Sequence, residues 1–81
     1  MTIFEQVRII AADVFAIPRD RLSPDSSPET IESWDSIQHL NLVLALEEKF
    51  QVQLSPEEIE QMHNIGQVAK VLEAKVQATM S

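Results

Sequence analysis

The sequence predicts an all-α fold: a four-helix bundle with a long loop between the first and second helices and a short third helix. Three observations carry that prediction. Apolar residues recur at three- and four-residue spacing through residues 3–14, 37–50 and 65–76. Helix-start signals precede each of these runs, and a fourth stands at Ser55-Pro56-Glu57-Glu58. No segment of useful length alternates as a strand does, although Gln51-Val52-Gln53-Leu54 is a short stretch that could pass for one. Eighty-one residues close one core and not two, so a single domain over 1–81 is expected.

The first helix opens at Thr2-Ile3-Phe4-Glu5, read as a capping box in which the threonine caps and the glutamate reaches back. Its apolar stripe is Ile3, Phe4, Val7, Ile10, Ala11 and Val14. Pro18 biases Ile17 away from helical angles and is expected to end it. Residues 18–35 hold Pro18, Pro24, Pro28 and four serines with little periodicity, and so read as a loop. Leu22, Ile31 and Trp34 are its expected apolar anchors, because a loop this long needs pins to hold a course over the core. The second helix starts with Asp35 as cap, Ser36 as first helical residue and Gln38 completing a capping-box variant, and runs to about Phe50. At 100° per residue its apolar side chains split into two groups. Leu42, Val43, Leu46 and Phe50 share one face, while Ile37, Leu40 and Leu44 lie nearly opposite. One stripe suffices for a core, so the second is either exposed or packed under the long loop. The third helix, from Ser55-Pro56-Glu57-Glu58, offers Ile59 and Met62 inward. The fourth opens at Asn64-Ile65-Gly66-Gln67 and buries Ile65, Val68, Val71, Leu72 and Val76, with residues 77–81 expected to fray.

Composition removes several function classes. With 44% hydrophobic residues and one glycine the chain has the material for a packed core. The sequence contains no cysteine, which excludes disulfides, thiolate metal sites and a thiol nucleophile. No apolar run approaches membrane-spanning length, and Met1-Thr2-Ile3-Phe4-Glu5 meets an acid too early for a secretion signal, so a cytoplasmic protein is expected. Thirteen acids against six bases give a net charge of −7. That balance disfavours nucleic acid and anionic membrane as partners and favours basic protein surfaces. His39 and His63 stand apart without a second histidine at helical spacing, so neither a metal pair nor a nucleophile–base pair can be assembled, and catalysis by this chain is not expected.

The residue that carries chemistry is Ser36. It follows an acid, precedes an aliphatic residue, and sits where the proline- and serine-rich loop gives way to the second helix. A hydroxyl there projects from the positive end of a helix dipole, where a phosphate ester is tolerated and an enzyme can reach it. The stretch Trp34-Asp35-Ser36-Ile37-Gln38-His39-Leu40 through Leu46-Glu47-Glu48-Lys49-Phe50 resembles the modification site and second helix of acyl carrier proteins. The likeness extends through Val52, Leu54 and the acidic third helix, covering roughly the whole chain and strongest between residues 34 and 62.

The resemblance implies a bundle of the acyl-carrier type, with a cavity between helices that admits part of an acyl chain. It also implies that Ser36 receives 4′-phosphopantetheine from coenzyme A through a separate phosphopantetheinyl transferase. The chain would then be substrate and not catalyst of that step, and would carry acyl, aminoacyl or polyketide groups as thioesters. Asp35 gains from the resemblance a second role in binding the transferase and its metal. Ile37, Leu40 and Leu44, rimmed by Glu47, Glu48 and Glu57, become a docking surface for acyl-transferring, ligase or synthase enzymes with basic faces. A monomer is expected. Gln38 and Asn41 are neutral where carriers of fatty acid synthesis commonly have acids, and Ser33-Trp34 replaces the Gly-Gly of peptidyl carriers. These departures point to a specialised pathway. The competing expectation is a small acidic helical adaptor that uses the same apolar stripe without any modification.

Overall fold

Four α-helices stand where the apolar periodicity places them: α1 (Ile3–Phe15), α2 (Ser36–Phe50), α3 (Pro56–Glu60) and α4 (Ile65–Met80), with a 3₁₀ turn at Arg19–Arg21. The computed structural model describes residues 2–80, the last three by their backbone. Among the described residues there is no strand, and 51–54 is an irregular connection. Helix α1 lies against both α2 and α4.

The helix starts follow the capping chemistry, with two amendments. Thr2 accepts from the Glu5 N–H at 3.1 Å, but the Glu5 carboxylate bonds the Arg8 guanidinium at 2.8 Å. Asp35 Oδ1 accepts from the Gln38 N–H at 2.8 Å, whereas the Gln38 side-chain oxygen accepts from the Asn41 amide at 2.9 Å. Only Ser55 and Glu58 close a reciprocal box: the Ser55 N–H donates to Glu58 Oε1 at 2.9 Å and Ser55 Oγ accepts from the Glu58 N–H at 3.2 Å.

Helix α2 ends at Phe50 as expected, whereas the ends of α1 and α4 differ from the expectation. Helix α1 stops at Phe15, ahead of the proline: Ala16 turns left-handed (φ 57°, ψ 46°), and the Ile17 N–H reaches back to the Ala12 carbonyl at 3.0 Å. Helix α2 ends in the same way at Gln51 (φ 56°, ψ 48°), with the Val52 N–H on the Glu47 carbonyl. Helix α4 continues to Met80, through most of the residues expected to fray, and residue 81 lies outside the described residues.

The core is built from Val7, Ala11 and Phe15 of α1, Leu42, Val43 and Leu46 of α2, and Ile65, Val68, Ala69 and Leu72 of α4. Each fully buried large side chain contributes roughly 1.5–3 kcal/mol. Ile3, Phe4, Ile10, Val14, Phe50 and Val71 pack half-buried at its edge, and Val76 is also half-buried, not buried as expected.

Leu22, Ile31 and Trp34 all sink into this core and pin the long loop. Phe15 receives the Trp34 ring, with centroids 5.1 Å apart and planes tilted by 31°. Polar anchoring joins the apolar pins. Ser26 is buried, its Oγ accepts from the Ser23 N–H at 2.9 Å, and its carbonyl accepts from the Ile65 N–H at 3.0 Å. The Pro24 carbonyl takes the Gly66 N–H at 3.0 Å, and Asn64 Oδ1 takes that of Gln67 at 2.8 Å. The first turn of α4 is thereby capped largely by the loop. Gly66 permits this approach, since a Cβ there would stand 3.2 Å from the Pro24 oxygen.

Candidate attachment site and its cleft

Ser36 is the first residue of α2, exposed, and preceded by the Asp35 cap. No hydrogen bond among the described residues engages its hydroxyl. The Asp35 cap occupies the Gln38 N–H and the Asp35 carbonyl that of His39, which leaves the N–H groups of Ser36 and Ile37 facing outward. Beyond the capping Asp35 carboxylate, no acidic residue lies in the first turn of α2. A reachable, unpartnered hydroxyl therefore stands at a helix tip with two open N–H groups.

Beside it lies an open cleft of about 740 Å³ between the end of the loop, α2 and α3. Trp34, Leu40, Ile59 and Met62 supply its apolar wall, and Ser27, Glu29, Glu60 and His63 its polar edge. His39, expected on the core-facing side, is half-buried and lines this cleft. Its Nδ1 accepts from the Trp34 Nε1–H at 3.0 Å, and its Nε2 stands 3.4 Å from the Ile59 carbonyl.

The second apolar stripe of α2 is open to solvent: Ile37 is 71% exposed, Leu40 57% and Leu44 63%. The loop does not cover it. Glu48 lines a surface groove with Leu44, Glu60 lines the cleft with Leu40, and both are exposed, as is Glu57 of α3. Glu47, grouped with them from the sequence, is half-buried and accepts from the Leu54 N–H at 2.8 Å, so it also holds the chain that leaves α2. In α3, Glu58 joins Ser55 to Lys75 of α4, with Nζ at 2.9 Å. The Ser55 backbone N–H, with Lys75 behind it, holds the Glu58 carboxyl below the usual glutamate range.

The family model described as phosphopantetheine attachment site matches residues 5–72, a span that contains Ser36, the cleft and the exposed stripe. The chain belongs to that family. Acyl carrier proteins of Helicobacter pylori are similar to it: that of strain J99 is 29% identical and that of strain G27 30% identical. Each of these matches covers 73 residues, 90% of this chain and 94% of the relative. The solution structure of the holo acyl carrier protein from Geobacter metallireducens superimposes with a TM-score of 0.88 at 25% identity, covering 99% of this chain and 92% of that one. The carrier therefore has the acyl-carrier bundle that the sequence predicts, and a non-catalytic role in carrying acyl groups. Members of the family bear covalent 4′-phosphopantetheine and work with transferases and synthases. Among the described residues, no helix is long and apolar enough to cross a membrane.

Proposed function

We propose that Ser36 is the attachment residue, and that this carrier, as a single domain over 1–81, serves a specialised biosynthetic pathway in the cytoplasm. The observation that carries the reading is the Ser36 hydroxyl itself: exposed, without a partner, at the tip of α2 and on the edge of the cleft between α2 and α3. The residues present fit the group. The open N–H groups of Ser36 and Ile37 favour a phosphodiester, and the apolar wall of Trp34, Leu40, Ile59 and Met62 suits an acyl chain. When attached, 4′-phosphopantetheine supplies a terminal thiol that holds acyl groups as thioesters.

The chain's own part in its loading is that of acceptor. Ser36 Oγ forms the new bond to the phosphorus next to the pantetheine of coenzyme A, the bond to the adenosine moiety breaks, and adenosine bisphosphate leaves. The serine proton passes to a base of the phosphopantetheinyl transferase, while His39, one turn along α2, is engaged with Trp34 and Ile59. Ile37, Leu40 and Leu44 give partner enzymes an apolar contact, and Glu48, Glu57 and Glu60 match basic residues around it. The neutral pair Gln38 and Asn41, bonded to each other on the same side, leaves that surface less acidic near Ser36 and supports a specialised pathway over fatty acid synthesis.

Intact mass decides the attachment. Incubated with coenzyme A and a broad-specificity transferase, the protein gains the mass of one phosphopantetheine, and Ser36→Ala gains none. No gain in the wild type, or a gain in the variant, would remove Ser36 from the role.

A further inference from the structure

The cleft has a single side chain that ties its three walls together. His39 projects from α2, receives the indole proton of Trp34 at the end of the loop, and faces the Ile59 carbonyl near the end of α3. Because Nδ1 accepts from Trp34, the neutral ring carries its proton on Nε2, which is then the donor toward Ile59. The Trp34 and His39 rings are stacked, with centroids 6.0 Å apart and planes 18° from parallel. Trp34 is itself immobile in the core, so its donor is a fixed point from which the imidazole is held.

Helix α3 needs such a tie. It has five residues, none of them buried. Apart from His39, it is held by Ile59, half-buried against the core, by Leu54 and Met62, buried just before and just past it, and by the Glu58–Lys75 ion pair. With no residue of its own fully buried, its local stability depends on each of these few contacts.

We propose that His39 is a positioning residue: through the relay Trp34–His39–Ile59 it sets how closely α3 stands to α2, and so how firmly cargo is held in the cleft beside Ser36. The cargo half of this inference rests on Ser36 being the attachment point; the relay itself does not. His39 touches no reacting atom. It acts by holding a wall.

The test uses the whole chain and dissects the ring by isosteres. His39→Phe keeps the ring's bulk and removes both bonds. His39→Gln restores a donor near the position of Nε2, and His39→Asn an acceptor near that of Nδ1. In the unmodified protein, the imidazole nitrogens report the Nε2–H tautomer by NMR. In His39→Phe the amides of residues 60–62 exchange roughly three- to tenfold faster, the loss of one net hydrogen bond, while the core amides of α4 are unchanged. His39→Gln brings that exchange back toward wild type, and His39→Asn restores the Trp34 indole proton resonance. In protein loaded with a medium-chain acyl group, hydroxylamine cleaves the thioester faster in His39→Phe by a similar factor. A purely packing role predicts the opposite pattern, with His39→Phe silent at α3. Equal exchange at 60–62, or an Nδ1–H tautomer, overturns the relay. Equal cleavage rates overturn its hold on cargo. If His39→Phe does not fold, Trp34→Phe and His39→Gln make the same comparison from either end of the relay. Failure of the wild type to load at all counts against Ser36 and leaves the exchange data to judge the relay.

Discussion

Asp35 has two separable properties, a cap and a charge. Its Oδ1 holds the Gln38 N–H at 2.8 Å, so Asp35→Ala should cost about 1 kcal/mol in urea unfolding. Asp35→Asn keeps an acceptor and should recover most of that stability. If the carboxylate also serves the transferase, Asp35→Asn loads poorly although it is stable; equal loading of the two proteins would confine Asp35 to capping. Ser36 beside it bears no structural bond, so Ser36→Ala should unfold within about 0.5 kcal/mol of wild type. The chemistry of this corner was legible because capping residues and an acid–serine–aliphatic triplet are local patterns. Ser26 and Glu47 were not legible. Ser26 takes the Ser23 N–H within its own turn, but the Ile65 N–H on its carbonyl, like the Leu54 N–H on Glu47, comes near only in the folded chain. His39 was expected on the core-facing side of α2 and instead lines the cleft, because its two partners come from other elements and left no mark in the sequence.

At the level of elements, helix starts were readable and the left-handed turns that stop α1 and α2 were not, for a physical reason. A start is written in side chains such as Thr2, Asp35, Ser55 and Asn64, whose oxygens satisfy open N–H groups. Both described left-handed ends fall on Ala16 and Gln51, residues that carry no signal for that conformation. A non-glycine residue there is strained by roughly 1 kcal/mol, so Ala16→Gly and Gln51→Gly should each stabilise the protein by about 0.5–1 kcal/mol. Gln51→Gly should gain less, since it forfeits the bond from the Gln51 side-chain amide to the Glu48 carbonyl. Denaturation midpoints check both, and a fall in either midpoint would count against strain at that residue. Helix α3 gives a pH-dependent case. The folded state holds the Glu58 carboxyl below its unfolded value, chiefly through the Ser55 N–H and then Lys75. Its contribution is therefore complete above the ordinary glutamate range of about 4 and is lost as pH falls through the lower folded value. Glu58→Gln should melt lower than wild type at pH 7, and the gap should narrow as the pH is lowered below the ordinary glutamate range.

On the scale of the whole molecule, the arrangement of charge and apolar surface predicts how partners are met. The buried faces of α1, α2 and α4, with the loop anchors, account for the core without Ile37, Leu40 and Leu44, which remain exposed on a protein of net charge −7. That the second stripe of α2 could be foreseen, and its exposure could not, has one cause: periodicity gives the angle of a side chain but not whether a loop folds over it. Exposed apolar residues can be replaced at little cost to folding, so Leu40→Asp should leave the unfolding midpoint nearly unchanged. It should lower kcat/KM for loading by about tenfold or more, the worth of one leucine buried at an interface. The acids act differently, because solvated charges accelerate encounter over distances set by screening, about 10 Å at 0.1 M salt and about 3 Å at 1 M. Raising salt across that range should therefore raise KM for this protein at the transferase and leave kcat alone. The effect should shrink in Glu48→Gln and Glu57→Gln, and be retained in Leu40→Asp. A salt response confined to kcat, or equal in all four proteins, would mean that the acidic surround is a solvated face with no part in docking, and that recognition lies in the apolar stripe and the α2 tip alone.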